Sequence, residues 1–234
     1  MESLKVVVKT LEDEKEVRKE FTYEGNLNIP VTTLLERLNI EYDTKIHYSS
    51  SCLQGLCGSC AMLINGWPKL ACKTFVNDEV MTKYSHKITI EPLSKFPVVK
   101  DLVIDRSVIF ENMKRAQQWL EKDAIINRKN IPLEYNVSQC LMCGCCLEAC
   151  ANYNGEDEYY GVVLPVASSK ISRQESDSEK INSLKEQYNK HFFNGCVKSL
   201  VCEDVCPMEI PTQRAISVMN HDSVWKFRRL LGKK

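Results

Sequence analysis

The sequence predicts an α+β chain in two parts, a strand-rich domain over residues 1–100 and a helical domain over residues 101–234. Three observations carry that reading. Leu4 to Thr10 alternate in polarity, the period-2 pattern of a strand with one buried face. From Leu102 onward the period changes: Ile104, Val108, Met113, Ala116 and Leu120 recur every three to five residues, as on one face of a helix. Cysteine is concentrated in a few short stretches with recurring spacings.

The chain of 234 residues is long enough to bury a core in each part. Lys plus Arg and Asp plus Glu number 31 each, which argues against a general nucleic-acid binder. No run of 18 apolar residues occurs, so no transmembrane helix is expected. The N-terminal residues read as a charged strand, without the basic-then-apolar pattern of a secretory signal.

Taken in order, Val6 and Val8 share a face of the first strand, and Phe21 and Tyr23 continue a second. The densely charged Leu11 to Lys19 between them reads as a solvated hairpin turn. Thr33 and Glu36 have the spacing of a capping box, opening a short helix through Leu34, Leu35 and Leu38. Two strands and a helix are the start of a β-grasp. Met62 and Ile64 lead into Asn65-Gly66, the strongest two-residue hairpin signal. Lys87 to Glu91 reads as the closing strand, and Pro92 and Pro97 punctuate the exit.

In the second part Trp119 is expected in the core, and Asn127 to Pro132 as a loop delivering the chain to Cys140. The acidic, aromatic run Asn152 to Gly161 reads as a surface loop. Ile171 to Lys190 reads as an exposed helix with its flanks, or as a flexible insertion. Pro211 opens a last helix continued by Ala215, Ile216 and Met219. Trp225 to Lys234 is basic with apolar residues interspersed, which suits an anionic membrane surface or a solvated tail equally.

Twelve cysteines without an export signal point to metal ligation rather than disulfides. Cys52-x4-Cys57-x2-Cys60, with Cys72 further on, is the plant-type [2Fe–2S] spacing. Leaving out Cys145, the run Cys140-x2-Cys143-x2-Cys146-x3-Cys150 is that of bacterial ferredoxins. In such a run three thiolates hold one cluster and the fourth crosses to another. Its partner run is Cys196, Ser199, Cys202 and Cys206-Pro207, with Ser199 where a second cysteine would stand.

The assignment then closes. Cys52, Cys57, Cys60 and Cys72 hold a [2Fe–2S] cluster; Cys140, Cys143, Cys146 and the crossing Cys206 hold a [4Fe–4S] cluster. Cys150, Cys196 and Cys202 are three thiolates with no fourth, which predicts a [3Fe–4S] cluster. A serine oxygen at Ser199 can in principle hold a fourth iron, but thiolate is the usual ligand. Cys145 is left over as a packed, unreactive thiol, although it could substitute for Cys146. Zinc is the rival for an isolated Cys-x2-Cys; the long ordered run and the Cys-Pro ending favour iron–sulfur. His47, His86, His191 and His221 are scattered without ligand spacing. No phosphate-binding loop or nucleophile constellation appears, so the catalytic residue set is empty. Clusters without a substrate site make an electron wire.

Five stretches carry a resemblance to a known family: residues 51–66 (SCLQGLCGSCAMLING), 70–72 (LAC), 90–105 (IEPLSKFPVVKDLVID), 140–150 (CLMCGCCLEAC) and 196–207 (CVKSLVCEDVCP). The chain resembles the iron–sulfur subunit of succinate dehydrogenases and fumarate reductases, the succinate:quinone oxidoreductases. The resemblance implies a β-grasp plant-type ferredoxin domain followed by an all-helical ferredoxin-like domain. It implies an oxidoreductase electron-transfer subunit, peripheral on the cytoplasmic side of the cell membrane and held there by its partners. The [2Fe–2S] cluster would face a flavoprotein subunit with FAD and the dicarboxylate site. The [4Fe–4S] cluster would sit in the middle, and the [3Fe–4S] cluster nearest a membrane anchor with quinone, with or without haem b.

The sequence also departs from the family. Ala151 stands where many members have proline. Asn152, Tyr153 and Val197 stand where ubiquinone-reactive members have a tryptophan and a histidine. Menaquinone, a quinone site wholly within the anchor, or another acceptor then fits better. The alternative reading is the electron-transfer subunit of a soluble thiol-dependent or other flavin-containing fumarate reductase without a quinone site. A zinc-binding interaction module is the second rival.

Overall fold

The structure, a computed structural model, describes residues 3–12, 15–77, 83–155 and 158–225. It divides into two compact units. One comprises Met1–Arg106 with Cys143–Glu148, the other Ser107–Met142 with Ala149–Lys234. Of the basic C-terminal stretch only Trp225 lies within the described residues.

The first unit is built on a five-stranded sheet. β1 (Ser3–Glu12) and β2 (Lys15–Glu24) form an antiparallel hairpin, followed by a short β3 (Ile29–Pro30) and helix α1 (Val31–Glu41). β4 (Ala61–Ile64) and β5 (Trp67–Leu70) form the next hairpin, and β6 (Phe75–Val76) pairs with β3. β7 (Lys87–Glu91) then enters the middle of the sheet, giving the order β2-β1-β7-β4-β5. It runs parallel to β1, with Val6 opposite Ile88, and antiparallel to β4. A small ladder of β8 (Val98–Lys100) and β9 (Val103–Ile104) closes the unit. This is the expected β-grasp, and its apolar residues explain it. Leu4, Val6, Val8, Ile88 and Ile90 from the central strands, and Leu34, Leu35 and Leu38 from α1, are all fully buried.

Several local details differ from expectation for physical reasons. The charged stretch Leu11 to Lys19 is mostly strand, because β1 runs to Glu12 and β2 begins at Lys15. Its charges alternate onto an exposed face, where Lys9 pairs with Glu16 and Lys19 with Glu12, both at 2.6 Å. Helix α1 opens at Val31 behind Pro30, with no side-chain cap, so Thr33 and Glu36 lie inside the helix. Asn65 and Gly66 do form the expected tight turn, both with positive φ.

Among its described residues the second unit's regular elements are all helices. They are α2 (Ser107–Arg115), α3 (Ile131–Ser138), α5 (Val163–Gln174), α6 (Ser178–Tyr188), α7 (Val201–Asp204) and α8 (Thr212–Asn220); α4 (Cys145–Ala149) falls almost wholly in the first unit. π-helical turns at Asn189–Phe193 and His221–Trp225 extend α6 and α8. Helix α5 is the hub, packed against α3, α6 and α8. It has no periodic signature: Val163, Leu164, Pro165 and Val166 are consecutive, and Ser168 and Ser169 are buried with them. Pro165 is tolerated because first-turn amides have no partner within the helix.

Here too expectation and structure part in places. Ile104 belongs to β9, and Leu120 lies beyond α2. Part of the stretch expected as a loop before Cys140 is α3, with Pro132 in its first turn. Trp119 is 43% exposed, with the buried Lys180 ammonium 4.3 Å from its ring centre, a cation–π contact rather than a core position. The run Asn152 to Gly161 is irregular but not superficial, since Tyr153 and Tyr160 are buried. The mixed-charge stretch after Ile171 resolves into the end of α5 and α6, which Asp177 caps by accepting from the Glu179 and Lys180 amides.

Asp101 ties the first unit's loops together. Its carboxylate accepts from the Leu11 and His47 amides, both at 2.9 Å, and from the His47 ring at 2.8 Å. Burial by itself would raise this carboxyl; the three hydrogen bonds outweigh it and hold Asp101 below its ordinary 3.8. A depressed folded value means that stability is present above the unfolded value and lost as pH falls through the folded one. Asp101→Ala should therefore lose about 1–2 kcal/mol at neutral pH by leaving two part-buried amides without their acceptor. Urea unfolding from pH 7 down to pH 2 should show this deficit shrinking towards the acid end.

Candidate metal centres

The first group of cysteines sits on one loop and hairpin of the first unit. Cys52 and Cys57 lie on the loop, Cys60 immediately precedes β4, and Cys72 lies two residues past β5. Antiparallel pairing of Ala61 with Leu70 brings the last two together, with sulfurs 3.3 Å apart. Cys72 thus occupies a turn beyond the return strand, close to Cys60 as the hairpin requires. The loop places left-handed residues at intervals, Leu53, Gly55 and Gly58, with φ of 54°, 75° and 74°. Such alternation turns successive amides to the concave side. The Gln54 and Leu56 amides donate to Cys52 Sγ at 3.4 and 3.2 Å, and the Ser59 hydroxyl to Cys57 Sγ at 3.2 Å.

These surroundings split the thiols. Hydrogen bonds from the Ser59 hydroxyl and then the Cys52 and Ser59 amides draw Cys57 down to about 6. Burial pushes Cys60 up to about 11, and the Cys72 thiol beside it adds to the rise.

The second group is divided between the units. Cys143 and Cys146 belong to the first, Cys140 and Cys206 to the second. On the first unit's side, α4 is anchored by Glu148, which accepts from the Ser94 hydroxyl at 2.6 Å and the Lys95 amide at 3.1 Å. Cys145 is fully buried, as expected, but it is not a bystander. Its thiol hydrogen-bonds Cys143, which together with the Cys145 amide and the Arg106 charge outweighs burial and draws Cys143 down to about 7. Arg106 donates to the Gly58 carbonyl at 2.7 Å and the Cys143 carbonyl at 3.3 Å, so one guanidinium fastens both cysteine loops of this unit. On the second unit's side, Cys140 follows α3 and Cys206 follows α7.

The third group lies wholly in the second unit. Cys150, Cys196 and Cys202 line one cavity, and Ser199 lines it with them. Ser199 is flanked by Lys198 and Leu200, with φ of 60° and 61°. Non-glycine residues rarely adopt this conformation, and its cost is met by the surroundings. Thr212 Oγ1 stands 3.5 Å from Cys202 Sγ and donates to Glu203 at 3.1 Å. Burial raises the Cys202 thiol, an effect that Thr212 partly offsets. Tyr159, from the stretch expected at the surface, also lines this cavity; only its aromatic character marked it in the sequence.

None of the twelve cysteines is in a disulfide. Among the described residues no three His, Cys, Asp or Glu side chains stand close enough to chelate a single ion. The first group instead presents its thiols beside amide and hydroxyl donors, and the third lines one cavity, arrangements that fit sulfide-bridged groups. Of the scattered histidines, His47 is held by Asp101 and His191 stacks on Tyr160 with centroids 4.1 Å apart.

The fold and its cysteine groups define an iron–sulfur protein. Residues 3–111 match the 2Fe-2S iron-sulfur cluster binding domain, and residues 136–210 match the 4Fe-4S dicluster domain. The chain is 29% identical to the succinate dehydrogenase iron-sulfur subunit of Bacillus subtilis, over 91% of this chain and 88% of that one. It is 28% identical to the fumarate reductase iron-sulfur subunit of Wolinella succinogenes, over 88% and 89% respectively. A solved structure of the Mycobacterium smegmatis Sdh1 complex in the apo form has the same fold, with a TM-score of 0.79 at 21% identity, covering 96% of this chain and 97% of that one. Over most of its length the chain is thus homologous to succinate dehydrogenase and fumarate reductase iron–sulfur subunits, which are components of oxidoreductase complexes. No helix among the described residues is long and apolar enough to cross a membrane.

A Cβ at Gly55 would lie 2.3 Å from Lys73 Cδ, and its φ of 75° is strained for any other residue. Gly55→Ala should therefore disturb the loop between Cys52 and Cys57 while leaving the helical unit folded. The expected result is selective loss of the two-iron absorption and EPR signal, with the remaining iron retained.

Proposed function

We propose that this chain carries electrons between a flavoprotein partner, holding FAD and the succinate/fumarate site, and a quinone in a membrane-anchor partner. It does so through three centres: [2Fe–2S] at Cys52, Cys57, Cys60 and Cys72; [4Fe–4S] at Cys140, Cys143, Cys146 and Cys206; [3Fe–4S] at Cys150, Cys196 and Cys202. The observation that carries the reading is the single cavity shared by the last three cysteines and Ser199. Ser199 beside these three cysteines, in place of a fourth thiol, supports a three-iron centre there. The 3.3 Å approach of Cys60 and Cys72 suits two thiolates on one iron, leaving Cys52 and Cys57 for the other.

Bound clusters supply one-electron carriers whose potentials follow charge, hydrogen bonds to sulfur and exposure. The chain's own part is to hold the thiolates, offer donors to them and limit water. Substrate chemistry is assigned to the flavoprotein partner. Val197 is 67% exposed and apolar at the cavity's edge, and Tyr153 is buried. Val197 offers no polar donor to a quinone there, which favours a quinone site formed by the anchor. The subunit would then lie peripherally on the cytoplasmic face.

The full chain with its clusters but without partners should turn over neither succinate nor fumarate. The native complex should do so and should contain a flavoprotein and a membrane subunit; a soluble complex lacking the latter would contradict the quinone reading. Redox-titrated EPR should show three centres, one paramagnetic when oxidised. Ser199→Cys should convert that centre towards [4Fe–4S] and lower its potential, and an unchanged spectrum would count against Ser199 as the open corner.

A further inference from the structure

Tyr159 is held at the third cysteine group more firmly than a loop residue needs to be. Its hydroxyl lies 3.9 Å from Cys150 Sγ, and the Cys196 sulfur is also within its hydrogen-bonding reach. Its ring stacks on Phe192, with centroids 5.9 Å apart and planes 20° from parallel. The ring also lies close to Gly195. A Cβ there would come within 2.6 Å of Tyr159 Cδ2 and 3.0 Å of Cε2. Gly195 is therefore the residue that admits the ring, and Phe192, itself 1% exposed, is the wall it rests on. The phenol is clamped with its oxygen aimed at two sulfurs.

We propose that Tyr159 is a positioning residue that sets the reduction potential of the centre at Cys150, Cys196 and Cys202 by donating a hydrogen bond to its thiolates. The inference rests on the three-iron reading of that site. A metal-bound thiolate has no proton to give, so the phenol must be the donor in this pair. A phenol ordinarily titrates at about 10, so at neutral pH it carries the proton that it donates. Reduction adds negative charge to the cluster, and a donor aimed at its sulfurs stabilises the reduced form more than the oxidised one. The tyrosine thus raises the potential and favours electron arrival at this centre. Gly195 acts through it.

The test is a redox titration of the native complex followed by EPR, comparing the parent with Tyr159→Phe, Gly195→Ala and Tyr160→Phe. Tyr159→Phe keeps the ring and its stacking and removes only the donor. Its oxidised three-iron signal should persist, with the potential lowered by the equivalent of about tenfold in the one-electron equilibrium, about 59 mV. Gly195→Ala, which displaces the ring, should shift the potential the same way. Tyr160→Phe, on the neighbouring ring that stacks on His191, should leave it unchanged. An unaltered potential in Tyr159→Phe, or loss of its signal altogether, overturns the inference. Absence of the three-iron signal from the parent complex instead overturns the assignment beneath it.

Discussion

Thiolates gathered around one group carry charge that repels, and burying it is costly unless donors are aimed at the sulfurs. That constraint shapes the irregular parts of this chain more than apolar burial does. In the first unit the answer is a loop with left-handed turns at Leu53, Gly55 and Gly58, which directs the Gln54 and Leu56 amides to one sulfur. Left-handed residues recur near the other cysteines: Met142 and Gly144 around Cys143, Lys198 and Leu200 around Ser199, and Glu209 after Cys206. The Ser59 hydroxyl supplements the backbone donors at Cys57, and the Arg106 guanidinium holds the Gly58 and Cys143 carbonyls beside their cysteines.

Strained loops of this kind persist only when a scaffold fixes both ends. In the first unit the fixed ends are strands. β4 starts immediately after Cys60, its hairpin returns the chain to Cys72, and Asp101 ties the segment before Cys52 to the end of β1. In the second unit the fixed ends are helices around α5, with Ile216 of α8 and Phe192 of the π-turn lining the same cavity as the cysteines. The carriers are thereby separated from the parts that supply stability, which lets one chain tune several centres without rebuilding its core.

What was legible in the sequence follows the same division. Cysteine spacing is chemistry written in order along the chain, and the approach of Cys60 to Cys72 and the shared cavity of Cys150, Cys196 and Cys202 follow it; β1, β7 and the Asn65-Gly66 hairpin were readable too, each marked by period or turn residues. Helix α5 was not readable, because a helix buried on several sides has no polar stripe and Pro165 argues against it locally. The left-handed conformations at Leu53, Met142, Lys198 and Leu200 were invisible, since no glycine marks them. Tyr159 was misread because acidic neighbours suggested solvent; its place depends on Gly195, far along the chain, and on Phe192. Cys145 was correctly buried, but its hydrogen bond to Cys143 is a tertiary fact.

The account's central claim is that eleven of twelve cysteines hold three centres of different nuclearity, with the three-iron centre at the cavity of Cys150, Cys196, Cys202 and Ser199. Mössbauer spectroscopy of the iron-57-labelled native complex, with metal analysis on the same sample, tests this most directly. The account predicts iron absorption that resolves into one two-iron, one four-iron and one three-iron component in those proportions, without stoichiometric zinc. Two four-iron components, or zinc replacing iron at any of the three sites, would contradict it.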